Sequence, residues 1–256
     1  MKLRIAIWNI ERPRTGQTEK IAALEVRMQQ VHADIWILTE AHEGVSPGSD
    51  YDCVATTPIN KPRTHTQGEN RTTIWSRLPI KEVVDTHDPE TAVCANIETP
   101  FGPTLVYGTV IPYSGAGTKY PYWSNGMDIN GKKTWQLNYE SILRHQADWK
   151  RLIDQHPTHH FCCGGDFNQN RDGRQWTGTP RGRQLLTEAL NHCDLTCVTE
   201  DDFVARGDLA RLSNIDHLCL SRNLTSALGT VGAWDIEYYA PKKRLSDHNG
   251  VWVDLS

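Results

Sequence analysis

The stretch His160-Phe161-Cys162-Cys163-Gly164-Gly165-Asp166-Phe167-Asn168-Gln169 runs from an apolar segment into two glycines, then sets a carboxylate and a carboxamide two residues apart. Residues i and i+2 of an extended segment lie on the same side, so Asp166 and Asn168 at a strand end would aim together at one target. The competing reading is a turn, because Gly, Asp and Asn are common turn formers. Gly164 and Gly165, on the strand reading, leave room for close approach.

Outward from this stretch the same arrangement recurs. Residues 3 to 9, LRIAIWN, predict a buried strand with a polar end. Residues 18 to 32 predict a helix with Ile21, Leu24, Met28 and Val31 on one face. ADIWILTE is a second strand, ending on Glu40, and strand-like runs follow at YDCVAT, RTTIWSR, KEVVDT, AVCANIE and TLVYGTVI. Their close spacing implies mostly antiparallel sheet. Residues 112 to 133, rich in Gly, Pro, Asn and aromatics without a period, are expected to form a functional loop or lid. A helix is expected over 134 to 154, with Tyr139, Ile142, Gln146, Trp149 and Ile153 on one face and Pro157 beyond its end. The strand HHFCCGG, a helix over 182 to 192, and the strands NIDHLCLS and GVWVDLS complete the chain. This order of elements predicts an α+β sandwich of two sheets with helices outside.

The 256 residues, 38% hydrophobic and 23% charged, contain no low-complexity block, linker or short repeat, so one domain over residues 1–256 is expected. No run approaches the roughly 18 apolar residues that span a bilayer. IAIWNIE is too short for a secretory leader, and a cytoplasmic protein without membrane contact is expected. Seven cysteines at irregular spacing read as reduced thiols. Cys162-Cys163 and the Cys193, Cys197 pair hint at zinc only weakly, because the spacing of the seven cysteines is irregular. A net charge of -4 argues against a protein that coats long duplex DNA through its overall field. Two local basic clusters, Arg171, Arg174, Arg181 and Arg183, and Lys242-Lys243-Arg244, are either solvated loops or charge placed beside the acidic motifs.

Predicted strands end in, or lead into, Asn9 and Glu11, Glu40, Asp166 and Asn168, Asp216, and Asp247 with His248. Singly, each has an ordinary explanation: Asn9 a turn cap, Glu40 or Ser246-Asp247-His248 a helix cap, Asp216 an acid facing solvent. Together, in a chain whose buried segments are otherwise apolar, they suggest strand ends converging on one cluster of oxygen ligands. Packed carboxylates raise one another's pKa unless cations or hydrogen bonds compensate. Hard oxygen donors suit Mg²⁺ or Mn²⁺ better than zinc, and the chemistry implied is metal-assisted attack on a phosphate ester.

The ordered series WNIE (8–11), ILTE (37–40), GGDFNQ (164–169), IDHLCLS (215–221) and LSDHNGV (245–251) resembles the endonuclease/exonuclease/phosphatase superfamily. That superfamily includes abasic-site endonucleases, pancreatic-type DNases and inositol-polyphosphate phosphatases. The resemblance implies a four-layered α/β sandwich, two face-to-face mixed β-sheets flanked by helices, with the active site at one end. It implies that Asn9, Glu40 and Asp247 hold a metal, with Glu11 helping. Asp166 would orient or deprotonate the attacking water and Asn168 would hold that water or a phosphate oxygen. His248 would donate to a phosphate oxygen, with Asp216 fixing its imidazole.

The match departs where many family members place a Tyr or His near a central strand end. Here VYGTVIPYSG offers Val110 or Thr109, with Tyr107 and Tyr113 nearby, and Tyr113 is the candidate at the mouth. Asn70 or Arg71 is expected at the edge of the site, and Arg77 in a structural role. Arg171 and Arg174 are candidate substrate contacts. Tyr120, Tyr122, Trp123, Lys132 and Lys133 would either stack bases and meet phosphates or tuck the loop onto itself. The function expected is a Mg²⁺- or Mn²⁺-dependent phosphodiesterase, a nuclease on single-stranded or short nucleic acid. The alternatives are a phosphatase or phosphodiesterase of small phosphorylated molecules and a non-catalytic binding module on the same fold. Oligomeric state is left open.

Overall fold

Alternating apolar side chains build the molecule from its first strand. In the computed structural model, which describes residues 2–58, 67–117 and 131–256, β1 (Leu3–Asn9) buries Leu3, Ile5 and Ile7 in one cluster and Ala6 and Trp8 in another. A strand apolar on both faces has to be covered on both sides. Helix α1 (Thr18–Val31) covers the Ala6 and Trp8 face with Leu24 and Met28. A second sheet covers the other.

The chain continues through β2 (Ile35–His42), β3 (Asp52–Ala55), β4 (Glu69–Ser76), β5 (Ile80–Val84), β6 (Ala92–Thr99), β7 (Gly102–Val110), α2 (Gln136–Gln155) and β8 (His160–Asp166). It ends with α3 (Pro180–His192), β9 (Leu195–Cys197), β10 (Asp216–Ser221), the single turn α4 (Arg222–Thr225), β11 (Leu228–Trp234), the ribbon β12 (Tyr238–Ala240) and β13 (Lys243–Arg244), and β14 (Gly250–Leu255). One six-stranded sheet has the order β11-β14-β1-β2-β4-β3, the other β5-β6-β7-β8-β10-β9. Both are mixed: β1 pairs with β2, and β7 with β8, in parallel, and the other described pairs are antiparallel.

Ile5, Ile7, Ile37 and Ile74 of the first sheet meet Ala95, Val106, Cys162 and Leu218 of the second in one inter-sheet core. Burying each such isoleucine contributes about 1.5–3 kcal/mol. Helices α2 and α3 close the outer face of the second sheet over Tyr107, Phe161 and Cys163. The fold is the expected α/β/β/α sandwich. Gly164 is what lets the sheets approach here, since a Cβ on it would lie 2.3 Å from the Ile7 side chain. Gly165, at φ +135°, sits against β7, where a Cβ would lie 1.9 Å from the Thr109 carbonyl oxygen.

One expectation fails on α2. The buried stripe is Leu137, Ile142, His145, Asp148, Trp149 and Leu152, and Tyr139, Gln146 and Ile153 are only partly covered. The helix turns inward on polar groups because they are satisfied there: His145 bonds Tyr107 and Thr109, and Tyr107 donates to Asp148. Strands β9 and β11 to β13 are additional to the predicted set. All seven cysteines are free thiols, and Cys162 and Cys163 face opposite sides of β8 in two different cores. No helix among the described residues is long and apolar enough to cross a membrane.

Candidate active site

Topology brings the polar strand ends to one end of the sandwich. β1 and β8 finish there at Asn9 and Asp166; their antiparallel partners β14 and β10 begin there, after Asp247 and His248 and at Asp216. Asp166 and Asp216 are directly opposite in the β8–β10 pair. An upward strand end and a downward strand start are necessarily adjacent, so acids distant in sequence become neighbours.

Asn9 joins the two sheets: its Nδ2 donates to Asp166 Oδ2 at 3.1 Å, and its Oδ1 accepts from the Glu11 amide at 3.0 Å. Asp166 Oδ1 accepts from the Asn168 backbone N–H at 2.9 Å. Asn168 takes a left-handed backbone, φ 53°, and its side chain donates to the Ile111 carbonyl at 3.0 Å. The chain thus bends immediately after Asp166, which makes Asn168 a brace for the loop as well as a neighbour of the acid. Gln169 continues the bracing by donating to Asn138 Oδ1, whose amide donates to the Pro112 carbonyl.

His248 and Asp216 form a short pair, Nδ1 to Oδ2 at 2.7 Å. The ring's Nε2 is left 3.9 Å from Asp166 Oδ2 and 3.9 Å from Asp247 Oδ1. Ser246 sets the approach of this segment, donating to the Asn9 carbonyl at 2.5 Å while accepting from the His248 amide at 3.0 Å. Burial alone would lower the His248 pKa, but Asp216 and Asp166 outweigh it and raise it to about 10. Burial raises Asp166 to about 7 against the pull of His248, and it raises Asp216 as well. In this coupled set the direction that geometry supports is a cationic His248 held by an ionised Asp216, with Asp166 as the acid that gives up its proton least readily.

Glu40 stands on a left-handed residue of β2, φ 48°, and its Oε1 accepts from Arg12 Nη2 at 2.5 Å. Arg12 Nε also lies 3.2 Å from Glu69 Oε1, so one guanidinium bridges two carboxylates. Burial raises the Glu40 pKa, Arg12 and His248 oppose that, and Asp247 and Glu69 add to it. Glu11 is turned elsewhere: its Oε1 meets Arg244 Nη2 at 2.7 Å and its Oε2 lies 3.6 Å from Lys20 Nζ. Asp247 Oδ2 lies 3.5 Å from the same Arg244 nitrogen.

The remaining candidates sort by position. Arg71 is buried beside Arg12, Glu69 and Glu40, and burial lowers its pKa to about 10. Asn70 pairs with Ala41 in the β2–β4 ladder and its side chain donates to the Gly68 carbonyl at 3.5 Å. Tyr113 is close enough to Arg12 to act on its charge and packs on Val110, Ala116 and Leu137. Tyr107 and Thr109 send their hydroxyls to His145, on the α2 side of the sheet. Arg171 bonds the Arg183 carbonyl, Thr187 and Glu200, and Arg174 is exposed. Arg77 pairs with Asp50 at 2.7 Å and covers the Tyr51 ring. Lys132 bonds Glu140, whereas Tyr120, Tyr122 and Trp123 lie outside the described residues. Arg12, Glu69 and Ser246 were missed. The i and i+2 rule applied to Glu69 and Arg71 would have found that pair; nothing local marks Arg12.

The donor set suits a hard divalent cation: it consists of carboxylates and an amide without a thiolate. Among the described residues, Asp166, Asp216 and His248 bring ligand-type atoms within 4.8 Å of one another, but His248, held as a cation by Asp216, is no ligand in that state. Asp216 Oδ1 is buried without a hydrogen-bond partner. A buried acceptor of that kind is costly unless a cation or donor meets it.

A mixed two-sheet sandwich whose strand ends carry this cluster defines a class of phosphoester-processing proteins. The chain belongs to the Endonuclease/Exonuclease/phosphatase family, whose sequence profile matches residues 6–248. No curated protein sequence matches it significantly. Among solved structures, an AP endonuclease from Archaeoglobus fulgidus superimposes with a TM-score of 0.68 at 14% identity, covering 98% of each chain. An AP endonuclease from Leishmania major gives 0.68 at 16%, covering 99% of this chain and 87% of that one. A 3' phosphatase from Neisseria, bound to a product DNA hairpin, gives 0.63 at 16%, covering 99% of both. At these identities the likeness is one of fold.

Proposed function

We propose that this protein is a divalent-metal-dependent phosphodiesterase, with Mg²⁺ or Mn²⁺ as its ion and single-stranded or short nucleic acid as its substrate. The observation that carries the reading is the opposition of Asp166 and the His248–Asp216 pair across 3.9 Å, one an acid of raised pKa and the other a cation. Phosphodiester hydrolysis needs positive charge at the phosphate and a base for the incoming water. Asn9 Nδ2 and the Asn168 backbone N–H hold Asp166 in orientation, so that its carboxylate accepts the proton of the attacking water. Asp216 accepts from Nδ1, which leaves the Nε2–H of His248 to donate to a non-bridging phosphate oxygen. As the new P–O bond forms, the bond to the leaving ester oxygen breaks and its electron pair departs with that oxygen.

Glu40, with Asn9 and Asp247, would hold the ion; Glu11 would join only by leaving Arg244 and Lys20. A bound divalent ion would supply Lewis acidity to the phosphate and leaving oxygen. We assign the whole of residues 1–256 to one domain, and the reduced cysteines favour a cytoplasmic setting.

The test is hydrolysis of labelled DNA, RNA and small phosphoesters with and without Mg²⁺, Mn²⁺ and EDTA, with Asp166→Asn as the blank. Nucleic acid should be cut with metal and spared in EDTA, and the variant should lose at least ~100-fold. Turnover of small phosphoesters alone would favour the phosphatase alternative. Binding without turnover would favour the non-catalytic module.

A further inference from the structure

We propose that Trp176 is a stacking platform for a nucleobase of single-stranded nucleic acid held at the Asp166–His248 cluster; this rests on the nuclease reading above. Trp176 is 41% exposed, whereas the other tryptophans among the described residues are buried or half-buried. Trp8, Trp36 and Trp149 by contrast are fully buried.

An exposed indole is usually loosely held, but this one is fixed at both ends. Its backbone N–H donates to Asn170 Oδ1 at 2.9 Å, and its ring N–H donates to the Ser213 carbonyl at 2.8 Å. Asn170 is fully buried, and its amide nitrogen donates to the Ser213 and Asn214 carbonyls at 3.1 Å each. With the ring N–H used internally, what the side chain offers to solvent is ring carbon. That is a surface without hydrogen-bond preference, able to take any base face.

The anchors also place it. Asn170 lies on the loop that leaves β8 after Asp166, and Ser213 is three residues before Asp216 on the way into β10. Three extended residues span at most ~11 Å, which puts the Ser213 backbone within reach of a nucleotide held at the cluster. Arg174 and Arg211 are exposed on the two segments that Trp176 bridges. Asp202, however, packs against Gly173 on the same edge, so the local field is mixed. Stacking, rather than a strong phosphate-attracting field, is therefore what this edge can supply. Base faces are free in a single strand and already stacked in a duplex, which selects the former.

The experiment compares wild type, Trp176→Phe and Trp176→Ala on oligothymidylate and on methyl 4-nitrophenyl phosphate, a diester without a base. Trp176→Ala should lose roughly 10-fold more kcat/KM on oligothymidylate than on the small diester, the order of one base–aromatic stack. Trp176→Phe breaks the bond to Ser213 but keeps a ring, and should recover most of that difference. Equal losses on both substrates in both variants, the signature of a structural role, would overturn the inference, as would no oligothymidylate loss in Trp176→Ala. If wild type hydrolyses only the small diester, the nuclease reading fails and the inference goes with it.

Discussion

Mild acid should remove the stability that one buried histidine contributes, an effect the difference between wild type and a His145 variant isolates from Asp166, whose raised pKa acts with the opposite sign in the same window. His145 is 1% exposed, its Nδ1 lies 3.0 Å from the Tyr107 hydroxyl, and its Nε2 lies 3.1 Å from the Thr109 hydroxyl. Because Tyr107 donates to Asp148 Oδ2, its oxygen is left to accept from an Nδ1–H, and Thr109 donates to a bare Nε2. The network is complete with a neutral ring. Burial, reinforced by His87 and opposed by Asp148, lowers the His145 pKa from 6.5 to about 3. The unfolded chain therefore binds the proton more tightly, and the stability held above pH 6.5 is lost as pH falls toward 3. Between pH 7 and pH 5 the loss from this group is about 2 kcal/mol, at about 1.4 kcal/mol per pH unit below 6.5. Asp148 does not confound the window: burial would raise its pKa, but His87 and Arg151 hold it below the ordinary range, so its contribution is lost only in stronger acid. Urea melts of wild type and His145→Gln at both pH values measure the effect. The variant should be weaker at pH 7 yet lose about 2 kcal/mol less on acidification. Parallel losses in the two proteins would refute the neutral-ring account.

Asp216→Asn removes the largest influence raising the His248 pKa and leaves burial opposed by Asp166 and Asp247 alone, so the alkaline limb of the kcat/KM profile should move to lower pH and the rate at neutral pH should fall ~100-fold or more. An unmoved alkaline limb would separate His248 from catalysis. Arg12→Ala should tighten Mn²⁺ binding at Glu40 by roughly 5-fold, about 1 kcal/mol, because the guanidinium holds the carboxylate oxygen a metal would need. Calorimetric titration reads this without turnover, and weaker binding would contradict it. Gly165→Ala should destabilise by about 3 kcal/mol or more, since its Cβ would overlap the Thr109 carbonyl at φ +135°. A melt within 1 °C of wild type would show that β7 and β8 can part at no cost.

The sequence by itself determined the layers and marked several polar groups at strand ends. The near-continuous apolar runs in LRIAIWN and IWIL specify strands covered on both faces, and an acid or amide beside an apolar run is visible locally: Asn9, Glu40, Asp166 and Asp216 all stood out. Which partner each polar group takes was decided only in three dimensions. Arg244 reaches Glu11 across 233 positions and His248 reaches Asp216 across 32, and such pairings leave no local trace because sheet order creates them. Glu11 could be read as an acid but not as one already held by two cations, and Arg12 could not be read as the bridge between Glu40 and Glu69. The inward face of α2 escaped hydrophobic periodicity for the same reason: His145 and Asp148 are tolerable in a core only where Tyr107 and Thr109 complete their hydrogen bonds. Trp176, an ordinary loop aromatic in the sequence, becomes a fixed and open ring only through the Ser213 carbonyl and the Asn170 side chain, which the loops at two strand ends bring to it.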